Sequence, residues 1–133
     1  MKKLSVILGI LFVIIMLSGC SDTATVTGTL TYREKIALPQ QGVVITVKVE
    51  DVSRADAPAI TIGEQIIRNP DHQVPIPFEV QYDTDKIDER HTYAMRVRIE
   101  VDEKLWFINT NRYEVITRGN PTSNIKVIVQ KQG

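Results

Sequence analysis

The chain has 133 residues, 16 basic and 16 acidic side chains, and a single cysteine. That length suits one globular domain, balanced charge gives no electrostatic grip on nucleic acid, and one cysteine cannot build a disulfide framework. Stability must come from packing alone.

The first twenty residues read as an export leader. Lys2 and Lys3 precede an almost unbroken apolar run from Leu4 to Leu17, and Ser18-Gly19 leads into Cys20. A charged start, an apolar middle and small residues at a cleavage point make a signal-peptide helix. Its run of about 14 residues would cover roughly 21 Å, against about 30 Å of bilayer hydrocarbon, so it is too short for a membrane span. Leu17-Ser18-Gly19-Cys20 resembles the bacterial lipobox. That resemblance implies removal of residues 1–19 and lipidation of Cys20, which also accounts for the unpaired cysteine. Several acyl chains on one residue anchor it permanently, at about 0.8 kcal/mol per buried methylene. In lipoproteins of this kind an aspartate directly after the cysteine favours the inner membrane. Ser21 stands there and Asp22 follows, which points to the outer membrane, facing the periplasm. Losing Lys2 and Lys3 leaves the mature protein mildly negative.

The organisation expected is residues 1–19 as leader, 20–23 as lipidated cysteine and short tether, and 24–133 as one all-β domain. Ala24 to Tyr32 alternates Val26, Gly28, Leu30 and Tyr32 against threonines, the pattern of a half-buried strand. Arg33 to Gly42 is a connection containing Pro39. Val43 to Asp51 sets Val43, Ile45, Val47 and Val49 on one face. Ser53 to Pro58 is a loop, and Ile60 to Ile67 a strand that Gly63 bends or bulges. Asn69-Pro70-Asp71-His72 is a turn.

Val74 to Tyr82 points Val74, Ile76, Phe78, Val80 and Tyr82 inward. Pro75 and Pro77 share the opposite parity and remove donors from one side, which places the start of this strand at a sheet edge. Asp83 to Arg90 is a polar turn or one helical loop around Ile87. Tyr93 to Val101 alternates again, Asp102-Glu103-Lys104 is a tight connection, and Leu105 to Ile108 is wholly apolar. Tyr113 to Thr117 is a short strand, Gly119-Asn120-Pro121 a turn, and Ile125 to Gln130 the closing strand. About seven or eight strands make an antiparallel β-sandwich or a closed barrel. The core expected comprises Val26, Leu30, Val43, Ile45, Val47, Val49, Ile76, Phe78, Val80, Met95, Val97, Ile99 and Phe107.

No catalytic residue, metal site or cofactor is expected. His72 and His91 lie in or beside polar connections, and Ser53 and Ser123 lack the surroundings of a nucleophile elbow. Asp83, Asp85, Asp88 and Glu89 gather carboxylates without the spacing of a calcium loop and read as a solvated acidic turn, in which Asp83 and Asp85 suit capping. In the quartet Leu105-Trp106-Phe107-Ile108, Leu105 and Phe107 are placed in the core. Trp106 and Ile108 then face outward as candidate partner-binding residues.

Several segments resemble the YbaY/YscW lipoprotein family, which includes type III secretion pilotins. They are Ala37-Leu38-Pro39, Val43 to Val52, Val74-Pro75-Ile76-Pro77-Phe78, Tyr82-Asp83, Tyr93 to Ile99, Leu105 to Thr110 and Tyr113-Glu114-Val115-Ile116-Thr117. A departure is Asp102-Glu103-Lys104, where a glycine is common. The resemblance implies a β-sandwich lipoprotein without catalytic residues, whose best understood relatives help a secretin ring reach and assemble in the outer membrane. The reading is a non-catalytic protein-binding module, either an accessory lipoprotein or a pilotin-like chaperone for an envelope protein such as a secretin. The rival is a β-barrel carrier of a small ligand, which needs an apolar cavity.

Overall fold

In this computed structural model, which describes residues 22–133, nine strands form two sheets. The leader and Cys20 lie outside the described residues. The strands are β1 (Thr23–Thr31), β2 (Val43–Asp51), β3 (Ile60–Arg68), β4 (Ile76–Asp83), β5 (Tyr93–Val101), β6 (Lys104–Ile108), β7 (Glu114–Val115), β8 (Ile125–Ile128) and β9 (Gln130–Lys131). A single 3-10 turn, Thr84–Lys86, follows β4. The small sheet has the order β4-β1-β8. The large one runs β3-β2-β5-β6-β9, with β7 also paired to β5. Neither sheet closes on itself, so the architecture is a sandwich rather than a barrel.

Alternation along the strands produces this arrangement directly. In β2 every odd residue from Val43 to Val49 is buried, and β5 buries Tyr93, Met95, Val97, Ile99 and Val101. All thirteen residues assigned to the core from the pattern, Val26 through Phe107, are buried. Tyr32, just past β1, stacks on Phe107 of β6 with ring centroids 4.2 Å apart and planes at 13°, tying one sheet to the other.

Two contacts bring β1 close to its neighbours. It pairs antiparallel with β4 and parallel with β8. At Gly28 an added Cβ would lie 2.0 Å from the Ile125 carbonyl oxygen and 2.9 Å from the Phe78 ring, so only glycine admits β8 there. The final segment, read from the sequence as one strand, divides in two. Val129 donates its N–H to Thr31 at 2.8 Å, after which the chain leaves β1 and pairs with β6 as β9. This division, with the two-residue β7, accounts for nine strands instead of seven or eight.

Bulges appear twice. Val49 pairs with Gly63 but Glu50 with Thr61, so Ile62 is an extra residue beside the expected glycine. Ile99 pairs with Phe107 but Glu100 with Leu105, so Trp106 is the extra residue in β6. That second bulge corrects one expectation: Leu105 is only half-buried, because the inserted residue breaks the alternation that would have carried it inward. The β5–β6 hairpin turns on Asp102 and Glu103, with φ of 50° and 68°. Two positive φ values match a type I′ turn, where asparagine and glycine are usual.

The expected edge is present, but the strand begins at Ile76 rather than Val74, so Pro75 precedes it and only Pro77 lies within it. β4 pairs with β1 alone, and Pro77 lies in the run facing away from that partner. The N–H of Glu79, of the same parity, is taken instead by the Gln65 side-chain oxygen at 2.8 Å. One step along, an added Cβ on Gly63 would lie 2.5 Å from the Gln81 carbonyl oxygen. The two sheets therefore meet at this seam through side-chain and packing contacts, not through a ladder.

Candidate functional site: the N-terminal pole and the Trp106 rim

The strand ends at one pole of the sandwich hold the point where the chain enters the domain. The carbonyl of Asp22 accepts both the N–H and the hydroxyl of Thr84, each at 3.1 Å. The domain is thus fastened two residues after Cys20. The acidic segment 83–89 is built as turns. Asp83 accepts the Asp85 N–H at 2.9 Å, and Asp88 accepts the Arg90 N–H through Oδ1 and the Arg90 guanidinium through both oxygens. Those side-chain and backbone bonds from Arg90 hold the Asp88 carboxyl far below the usual carboxylate range. Asp83 thus caps its turn as the sequence suggested, and Asp88 does the same for the next one, whereas the second expected cap, Asp85, supplies its N–H rather than its carboxylate.

Beside it, Asp51 at the end of β2 meets the loop before β5. Its Oδ2 lies 2.7 Å from His91 Nδ1, and its Oδ1 accepts the Ser53 N–H at 3.0 Å. Burial raises the Asp51 carboxyl, but the bonds from Ser53 and His91 outweigh that and leave it below its ordinary value. The other imidazole nitrogen faces Asp88 at 3.7 Å. The Ser53 hydroxyl accepts the Thr92 N–H at 2.9 Å and also bonds the Asp51 carboxylate. This order of Ser53, Asp51 and His91 serves to pin two loops together. His72 is elsewhere, with Nδ1 2.9 Å from the Gln73 carbonyl oxygen.

On the flank, the bulge sets Trp106 at a rim. The indole is half-buried against the core, and Lys131 Nζ lies 5.5 Å from the ring centroid, in cation–π range. The Trp106 carbonyl accepts the Gln132 N–H at 2.8 Å, which holds the C-terminal segment alongside. Ile108 stands opposite Arg98 and, like Trp106, is half-buried.

Sequence reasoning missed Asn109, one residue further on and buried. Its Oδ1 accepts the Val97 N–H at 2.8 Å, and its Nδ2 donates to the carbonyls of Met95 and Asn111 at 3.2 and 2.9 Å. It fills the gap on β5 between β6 and β7, standing in for a strand. A polar residue continuing an apolar quartet was the available signal.

A hollow of about 610 Å³ lies between Thr27, Thr29, Gln65, Phe78, Glu79, Ile125 and Lys126. It opens to solvent and mixes polar with apolar side chains, unlike the enclosed apolar cavity that a carrier of a hydrophobic ligand needs.

Comparison with known proteins agrees with this architecture. The profile of the family described as type III secretion system lipoprotein chaperone (YscW) matches residues 21–127. The uncharacterized lipoprotein YbaY of Escherichia coli (strain K12) is 29% identical over 107 residues, which is 80% of this chain and 56% of the relative. The chain therefore spans a little over half the length of that relative. The structure of an alternative pilotin from the type II secretion system of Vibrio cholerae superposes with a TM-score of 0.76 at 41% identity, covering 84% of this chain and 100% of that one. With most of its described length matched, the chain belongs to the YscW family of lipoprotein chaperones.

Proposed function

We propose that this chain is a pilotin-like lipoprotein, acylated at Cys20, which rides on the periplasmic face of the outer membrane and binds a secretin-type envelope protein. The likeness to a pilotin over that protein's whole length, at 41% identity, carries this reading. The mechanism follows from the anchor and the rim. With Asp22 fastened to Thr84, Cys20 and Ser21 alone link the lipid to the fold, a reach of roughly 7 Å. The pole formed by 83–91 then faces the bilayer, and a client held on the flank is carried wherever the lipid goes. Trp106 and Ile108 are the proposed client contacts, since an aromatic ring at a rim loses little freedom on docking and buries a large area. Lys131 above the ring adds a positive charge for an acidic group on the client.

The test is to delete the gene and quantify assembled secretin multimer in the outer-membrane fraction. The multimer should fall sharply. The unaltered chain should restore it, whereas Cys20→Ser and Trp106→Ala should not. An unchanged multimer in the deletion strain would overturn the reading. Full rescue by Cys20→Ser would overturn the anchor, and full rescue by Trp106→Ala would overturn the rim. Mass spectrometry should also find residue 20 acylated and residues 1–19 gone.

A further inference from the structure

Apart from the two-residue β7, the two sheets end in four strands, and three of those ends are covered. On β4, Pro77 lacks a donor and Gln65 takes the N–H of Glu79. On β8, the Tyr113 hydroxyl accepts the Ile128 N–H at 3.0 Å. On β9, the Glu34 carboxylate accepts the Lys131 N–H at 3.3 Å. Such covers are how folded proteins prevent edge-to-edge pairing. β3 has none: among the described residues, no side chain bonds a main-chain group of Ile60–Arg68.

The direction of its free groups follows from the ladder. Asn69 donates its N–H to Val43 at 2.9 Å, and Asn69 Oδ1 accepts the Val43 N–H at 3.0 Å. Antiparallel bonding alternates, so Ile67 and Gln65 bond across to Ile45 and Val47, while the main-chain groups of Glu64, Ile66 and Arg68 point away from β2. Those three side chains share one exposed face. Ile60 and Ile66, 57% and 47% exposed, are the most exposed large apolar residues of the described chain, and both belong to this strand. A hollow of about 260 Å³, lined by Ile67, Arg68, Ile76 and Pro77, separates β4 from this end of β3.

We propose that this edge joins two copies of the chain, β3 against β3, in a two-fold antiparallel pairing centred on Ile66. The segment is complementary to itself. Centring on Ile66 sets Glu64 of each copy opposite Arg68 of the other and places the two Ile66 side chains together. Opposite charges and a β-branched pair facing each other are the favourable cross-strand combinations. Glu64 faces Lys48 on its own β2, and Arg68 faces Val44, yet neither forms an ion pair among the described residues. The same segment meets itself in one symmetric register, as a closed dimer requires. Its result is one continuous sheet across two lipid-anchored domains.

Ile66→Cys in the full chain tests this in membranes. In such a pair the Cα atoms lie about 5.5 Å apart, within disulfide reach, so mild oxidation should link most of the protein as a dimer. The unaltered chain under the same treatment should stay unlinked. Adding Glu64→Lys or Arg68→Glu singly to Ile66→Cys should lower the linked fraction by about tenfold, because like charges then face each other twice. Both reversals together should restore it. Absence of the linked dimer, linkage to a different protein, or a dimer indifferent to charge reversal would each overturn the proposal.

Discussion

Asn109 and Val97 are joined by a side-chain bond where a strand would otherwise be: Oδ1 of the buried asparagine accepts the Val97 N–H at 2.8 Å. The same amide donates to Met95, so one side chain satisfies two main-chain groups of β5. Asn109→Ala leaves both unpaired in the interior. At about 1–3 kcal/mol for each buried orphan, a loss of about 2–6 kcal/mol is expected. Urea unfolding followed by the fluorescence of Trp106, the single tryptophan, measures it. A loss below half that range would show that water replaces the amide.

Asp51 predicts an acid dependence. Its carboxyl is held below the ordinary value in the folded state, so its contribution is complete above the unfolded value of about 4 and is lost as pH falls through the folded one. Asp51→Asn should therefore be less stable than the unaltered protein at pH 7. The difference should shrink steadily below about pH 4. Unfolding midpoints of the two proteins from pH 7 downward give the comparison, and a gap that widens in acid would contradict the assignment.

Glu103 holds φ of 68° in the β5–β6 turn, beside Asp102 at 50°. A left-handed conformation costs a non-glycine residue about 1 kcal/mol or more, partly offset by the greater freedom glycine has when unfolded. Glu103→Gly should raise stability by about 0.5–1 kcal/mol, seen as a higher thermal midpoint. Destabilisation would mean that the Glu103 side chain makes a contact worth more than the strain.

Val47 sits at the middle of β2, wholly buried between the sheets. Val47→Asp places a carboxylate there with no partner, a cost of several kcal/mol against a total stability of about 5–15 kcal/mol. The variant should lack a cooperative unfolding transition. A folded variant would place Val47 outside the core.

A local pattern was enough for much of this protein. Strand positions and their inward faces follow from a two-residue period, because successive side chains on a strand must point to opposite sides whatever lies next to them. That is why Val43 to Val49 and Tyr93 to Val101 could be phased from sequence, and why Pro77 marked an edge. The segments that carry the family resemblance are likewise short runs, each legible without its neighbours in space. What the sequence left open depends on contacts between distant residues. Sandwich or barrel was decided where β3 and β4 meet through Gln65 rather than through a ladder. The closing segment split because Val129 sits where the chain passes from β1 to β6. Leu105 left the core because pairing with β5 put a bulge at Trp106, and register belongs to two strands at once. Asn109 became structural only because β6 stops short of β7 along β5. Above all, whether an edge is covered depends on which side chain reaches it, and Tyr113, Glu34 and Gln65 reach theirs from distant positions in the chain. Period-2 alternation is a property of one strand, whereas neighbours, bulges and edge covers are properties of the assembled pair of sheets.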